Sequence, residues 1–351
     1  MGRLEIGSRW KFEIVAFLIT GLLLYKVDFS IDTDSYFYFK KHDIYYDYQA
    51  AKQLQHGENP YNRILEGNMI ENDKYATQLP LYFYFLALIG KISQNNFDVF
   101  LENFRLVLFW FHLAGGVFMY LLFRRINKLF VGYCAAVFYM FNVWSLNSFM
   151  YLKQDMIAIA LLVLSFYFFR NKTYRWISYV LFGLSLGIKH IGIFAFPIYL
   201  TPILFKEDSF KRFGLNMLLL FSTILIPAAP LLIDNSLSFV NSMLFSLTRS
   251  PRSSEIIYGY NELLVKYNPS FNKGTLFQQL LPRLPLFIAS ILCLLMLLLR
   301  KIPLSVYLFI SILVFAIFNP VIFPQYITWV TPMALISLVD YTDHVQLQKR
   351  V

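Results

Sequence analysis

Two aspartates four residues apart, Asp43 and Asp47, stand in a polar stretch running from Asp43 to His56. On a helix that spacing brings both carboxylates to one face. A carboxylate placed there can act as general base toward a hydroxyl. Further along the chain Lys153, Gln154 and Asp155 are consecutive, Lys189 and His190 adjoin, and Arg249 and Arg252 flank a Ser-Pro step. Lysine and arginine suit a phosphate or other anion. Together these types would serve a reaction in which a hydroxyl attacks and a phosphate leaves, with cations stabilising the charge that develops on the leaving group. No Walker or Rossmann glycine loop is present, so a sugar nucleotide is the less expected donor. The alternatives are structural: a solvated loop helix for residues 43–56, a snorkelling lysine at a helix end for Lys189, and lipid headgroups for the two arginines.

The elements that must position these groups are apolar. Of the 351 residues 58% are hydrophobic and only 15% charged, and the mean hydropathy is +0.53. A soluble domain does not have this composition; a polytopic membrane protein does. Aromatics make up 19%, more than interfacial belts alone require, which suggests that some line a cavity. The net charge of +10 lies in short clusters between apolar runs, the pattern of topology determinants rather than of a nucleic-acid surface. Cys134 and Cys293 both fall inside apolar runs, which supports neither a disulfide framework nor a zinc site.

In chain order, Arg3, Arg9 and Lys11 precede a first span from Phe12 to about Val27, kept as an anchor with the N-terminus inside. The first outer loop (28–103) holds Asp32, Asp34, Asp43, Asp47 and the Asn59-Pro60-Tyr61 turn. Within it Ile44, Tyr48, Ala51 and Leu54 recur at helical spacing over residues 43–56, with Gly57 and Pro60 as the stop. The apolar run 79–92 is about 14 residues, short of the ~20 a crossing needs. Reading it as a dip or interfacial helix keeps every later basic cluster on the inner side. Spans then follow at 104–123, 129–148 and 156–169. Between the basic clusters 170–175 and 206–212 the chain enters and returns, two half-length passes meeting near Lys189 and His190, where charged groups are tolerated if they line a cavity or pair with an anion. After a span at 214–233 comes a second outer loop (234–282) with Arg249 and Arg252, then spans at 286–299, 304–318 and 327–339. The expectation is one all-α polytopic domain over 1–351, with about ten transmembrane helices, both termini cytoplasmic, and the polar groups gathered on the opposite side.

The motif Asp43-x-x-Tyr46, Ala50-Ala51, Leu54, Gly57-x-Asn59-Pro60-Tyr61 resembles the first outer loop of the GT-C membrane glycosyltransferases, most of all the polyprenol-phosphate-mannose-dependent mannosyltransferases of glycosyltransferase family 87. Tyr75 with Leu79-Pro80-Leu81 resembles that group's Tyr-Pro-Pro-Leu, with Leu79 for the first proline. Lys153-Gln154-Asp155 resembles its Gly-Gln-Asp step, with Lys for Gly. Gly183 through Lys189 resembles its Gly-Leu-x-x-x-x-Lys segment, with Pro197 beyond, and Pro324-Gln325-Tyr326 through Trp329 resembles its Gln-Tyr-x-x-Trp helix. The matches run from about 43 to 332.

The resemblance implies a GT-C-like bundle and an inverting transfer of a hexose, mannose in that family, from a polyprenyl-phosphate sugar to a glycolipid or glycan acceptor on the outer face. Asp43 would be the base, with Asp34, Asp32 and Asp47 as the alternatives. Lys189, His190, Arg249 and Arg252 would hold the donor phosphate. Tyr46, Tyr61, Gln154, Asp155, Gln325 and Tyr326 would line the cavity. No cofactor is implied; a divalent metal on Asp32 and Asp34 has weak support. The compact chain leans toward a bacterial inner membrane. A transporter or flippase of an anionic lipid-linked substrate, for which internal repeats would be expected, and a non-catalytic subunit of a glycan-assembly complex are the other readings.

Overall fold

A computed structural model describes residues 2–30, 43–62, 76–248, 283–319 and 325–348. Among them every regular element is helical: α1 (Gly2–Ser30), α2 (Asp43–Gln55), α3 (Pro80–Ile92), α4 (Phe97–Arg124), α5 (Leu129–Phe141), α6 (Val143–Met150), α7 (Asp155–Phe169), α8 (Arg175–Ile188), α9 (Phe196–Leu204), α10 (Phe210–Asp234), α11 (Ser236–Thr248), α12 (Leu284–Leu298), α13 (Leu304–Phe318) and α14 (Gln325–Gln348). Short 3-10 turns at Pro60–Asn62 and His190–Ala195 join them.

Two helices, α4 and α10, are long and apolar enough to cross a membrane, and α5 with α6 makes a third if their 40° bend is one broken span. The remaining apolar helices are shorter, so the expected bundle of about ten full spans is met only in part. Asn142 explains the bend within the expected span 129–148. Its side-chain oxygen accepts from the Trp144 and Ser145 amides while its Nδ2 donates to the Phe138 and Tyr139 carbonyls, closing one helix and opening the next. The span expected from Phe104 starts earlier, at Phe97, where Asn96 caps the Asp98 and Val99 amides.

The segment 175–208 doubles back on itself. Arg175 at its start reaches Glu207 (2.9 Å) and Asp208 (3.1 Å) beyond its end. Midway, the Tyr179 hydroxyl donates to the Tyr199 carbonyl at 2.5 Å and Tyr199 stacks on Phe182. The break falls at Lys189, whose extended backbone (φ −149°) separates α8 from the 3-10 turn.

One end of the bundle collects the basic turns. Arg124 pairs with Glu13, Arg125 with the Tyr167 carbonyl, Arg170 with Asp340, Arg212 with the Lys172 carbonyl, and Arg300 lies over Phe205. The 25 residues of α10 carry the chain about 37 Å from there. At the far end Asn59 holds the Leu231 carbonyl and the Asp234 carboxylate. Between the two ends stands α7, buried on every face, as a helix that is apolar all round must be. Helices α8 and α10 meet closely because Gly183 of α8 faces Thr223 of α10 and lies where a Cβ would come 2.7 Å from the Leu220 carbonyl. Small residues at such crossings let helix backbones approach where lipid offers no hydrophobic drive to pack.

Candidate functional site

Helix α2 presents the two aspartates. Its apolar side, with Ile44, Tyr48 and Ala51 buried and Leu54 half-buried, lies on α3. The Tyr48 hydroxyl donates to the Asn95 carbonyl and Gln55 Nε2 to the Ala87 carbonyl (2.6 Å). Gly57 ends the helix at φ +77°, with the Glu58 amide closing on the Gln53 carbonyl. A left-handed residue at this position satisfies the last carbonyls, and glycine adopts it without a Cβ penalty.

Lys153 arrives from the other side by the same kind of turn. Past α6, Leu152 takes the left-handed conformation (φ 51°). The Leu152 amide donates to the Phe149 carbonyl and the Lys153 amide to the Ser148 carbonyl. Lys153 Nζ then meets Asp43 Oδ2 at 2.8 Å, with the Asp43 side chain 49% exposed and the Lys153 side chain 21%. Two residues on, Asp155 opens α7 at the positive end of its dipole. Fully buried, it receives Lys189 Nζ at 3.2 Å on one oxygen and the Trp329 indole N–H at 2.6 Å on the other.

Asp47 accepts a hydrogen bond from the Tyr82 hydroxyl at 3.0 Å. Its side chain is part-exposed but lies deep within the protein. Burial first, and the Asp43 charge second, raise its pKa to about 7, against the pull of Tyr82, Lys153 and Lys189. The two ion pairs and Asp47 act on one another electrostatically and so form one cluster. Three carboxylates and two ammonium groups sum to −1, and to zero once Asp47 holds a proton, but the burial of Asp47 is the larger reason that its pKa is raised.

The other expected residues are distributed as follows. Gln154 is buried beside Asp155, and His190 opens the 3-10 turn next to Lys189. Tyr46 lies edge-on to Tyr45. Gln325 and Tyr326 begin α14, with Tyr326 against Phe315 at 4.9 Å. Tyr61 is fully buried, donates to the Gln78 carbonyl at 2.6 Å and packs on Phe83 and Phe239, so its contacts are those of a structural residue anchoring the Asn59-Pro60 turn. Asp32, Asp34, Tyr75, Arg249, Arg252 and Pro324 lie outside the described residues. Among those described, no three of His, Cys, Asp and Glu converge as a metal would require.

Sequence reasoning did not pair Lys153 with Asp43, Trp329 with Asp155 or Tyr82 with Asp47. Nor did it single out Asp28 and His112, fully buried in α1 and α4 with Nδ1 and Oδ2 3.7 Å apart. For Asp28 and His112 the available signal was an ionisable residue inside an apolar helix. Among the described residues, fold and site thus define an all-helical structure with two or three helices long and apolar enough to cross a membrane and a charged cluster at the end opposite its basic turns. No protein-family model, curated protein or solved structure matches the chain.

Proposed function

We propose that the chain is a membrane glycosyltransferase that moves a hexose, mannose by resemblance, from a polyprenyl-phosphate sugar to a glycolipid or glycan acceptor. It would work with inversion on the non-cytoplasmic face of a bacterial inner membrane, within a GT-C-like bundle. The observation that carries the reading is the meeting of four separated segments, at Asp43, Lys153 to Asp155, Lys189 and Trp329, in one cluster. These are the segments on which the family resemblance rests. In the reaction the acceptor oxygen attacks the anomeric carbon, its proton passes to the Asp43 carboxylate, and the bond from the anomeric carbon to the phosphate oxygen breaks to release polyprenyl phosphate. A half-exposed carboxylate is reachable from outside, as a general base must be.

The test is sugar transfer by the purified protein from polyprenyl-phosphate mannose to a panel of glycolipid acceptors, with Asp43→Asn as the variant. Loss of the base is expected to lower the rate by about 10²–10⁴-fold with donor binding retained. Normal transfer by the variant would remove Asp43 from the role. Movement of the intact donor across a vesicle membrane without transfer would favour the flippase reading, which the buried pair of Asp155 and Lys189 also suits.

A further inference from the structure

We propose that Lys153 is the anion-binding residue of this site: it recognises a phosphate ester and passes from Asp43 to that phosphate when the ligand arrives. The inference rests on the transferase reading for the ligand's identity, but not for its geometry.

The two lysines of the cluster differ in what holds them. Lys189 pairs with a carboxylate that has no exposure and whose other oxygen is already taken by Trp329. Withdrawing it would leave a buried charge uncompensated, which is strongly unfavourable. Lys153 pairs with a carboxylate that is half in solvent, so when the ammonium leaves, water can hydrate that carboxylate in its place. Of the two, Lys153 is the one that can change partners.

Its backbone is also better fixed than its head. The left-handed turn at Leu152, closed by the Lys153 amide on Ser148, sets where the side chain starts, and a flexible four-carbon stem lets the ammonium swing. No bond is made or broken in the exchange. Its consequence is chemical: while Lys153 holds Asp43 the carboxylate is a weak base, and once the phosphate has drawn the lysine away the carboxylate becomes a stronger one. The site is therefore armed by the donor, and donor binding precedes productive acceptor binding.

The experiment is a titration of the full-length protein in detergent with farnesyl phosphate, and with farnesol as the phosphate-free control. Farnesyl phosphate is expected to bind about tenfold or more tighter than farnesol, the scale of one charge-assisted contact. Lys153→Met should erase that preference and Lys153→Arg should keep most of it. Asp43→Asn, which removes the competitor for the ammonium, should tighten farnesyl phosphate binding and leave farnesol unchanged. A Lys153→Met protein with the wild-type preference overturns the proposal. So does an Asp43→Asn protein that binds farnesyl phosphate no better than wild type, an arm that decides the matter even if Lys153→Met fails to fold. Because no sugar transfer is read, a protein that prefers the phosphate yet transfers nothing leaves Lys153 in place and removes only the transferase reading.

Discussion

At the scale of single residues, the cluster joins groups whose protonation and pairing have measurable consequences. Asp47 titrates near 7 in the folded protein instead of at its ordinary 3.8. The folded state therefore binds more protons than the unfolded chain between about pH 4 and pH 7, and stability contributed through this group falls as pH rises through that window. Asp47→Asn, which cannot ionise, is expected to gain in melting temperature relative to wild type on going from pH 5 to pH 8; a difference independent of pH would contradict the raised pKa. Asp155 and Lys189 make a different case. Each single variant, Asp155→Asn or Lys189→Met, strands a buried partner and is expected to cost about 3–5 kcal/mol, while the double variant costs less than the sum of the two. A double-mutant cycle on unfolding in mild detergent checks this, and simple additivity would mean the pair is not coupled. The Asp43–Asp47 spacing was legible in the sequence because it is a local property of a helix. The choice of Lys153 for Asp43 and of Lys189 for Asp155 was not, since four charged residues allow either pairing until packing decides.

At the scale of elements, the breaks carry more information than the helices. The end of α2 is set by Gly57 at positive φ, with open space where a Cβ would stand. Gly57→Ala should thus report backbone strain alone, a loss of about 1 kcal/mol, and Gly57→Asn should lose less because asparagine tolerates that conformation. A loss several times larger would show that the turn also packs against something else. The reversal at Lys189 could be read in advance, because a lysine and a histidine interrupt an apolar run whose two flanks are too short to cross separately. The break at Asn142 was missed in a run that looked continuous, although asparagine ahead of a helix is a capping signal in its own right.

At the scale of the whole molecule, the basic turns around Arg124, Arg170, Arg175, Arg212 and Arg300 gather at one end and α2 at the other. Charge parity along the sequence anticipated that separation, since it follows from which loops carry lysine and arginine and not from any tertiary contact. The number of full spans was less legible: apolar text does not reveal where a helix stops inside the bundle. Single cysteines at exposed Thr173 and at Glu58, in a background with Cys134 and Cys293 replaced, should label from opposite sides of a sealed vesicle with an impermeant maleimide. Labelling of both from one side would break the proposed topology.

The short helices also bear on the surrounding lipid. Helices α7, α12 and α13 have 15 residues each, about 22 Å of rise against a hydrocarbon core of about 30 Å. If such helices cross, the bundle would be in hydrophobic mismatch with an ordinary bilayer, and lipid can relieve a mismatch by thinning around the protein. Thinned lipid would bring headgroups down toward the buried Lys189 and, on the proposed function, shorten the path by which the donor's polar head reaches Asp43 from the membrane plane.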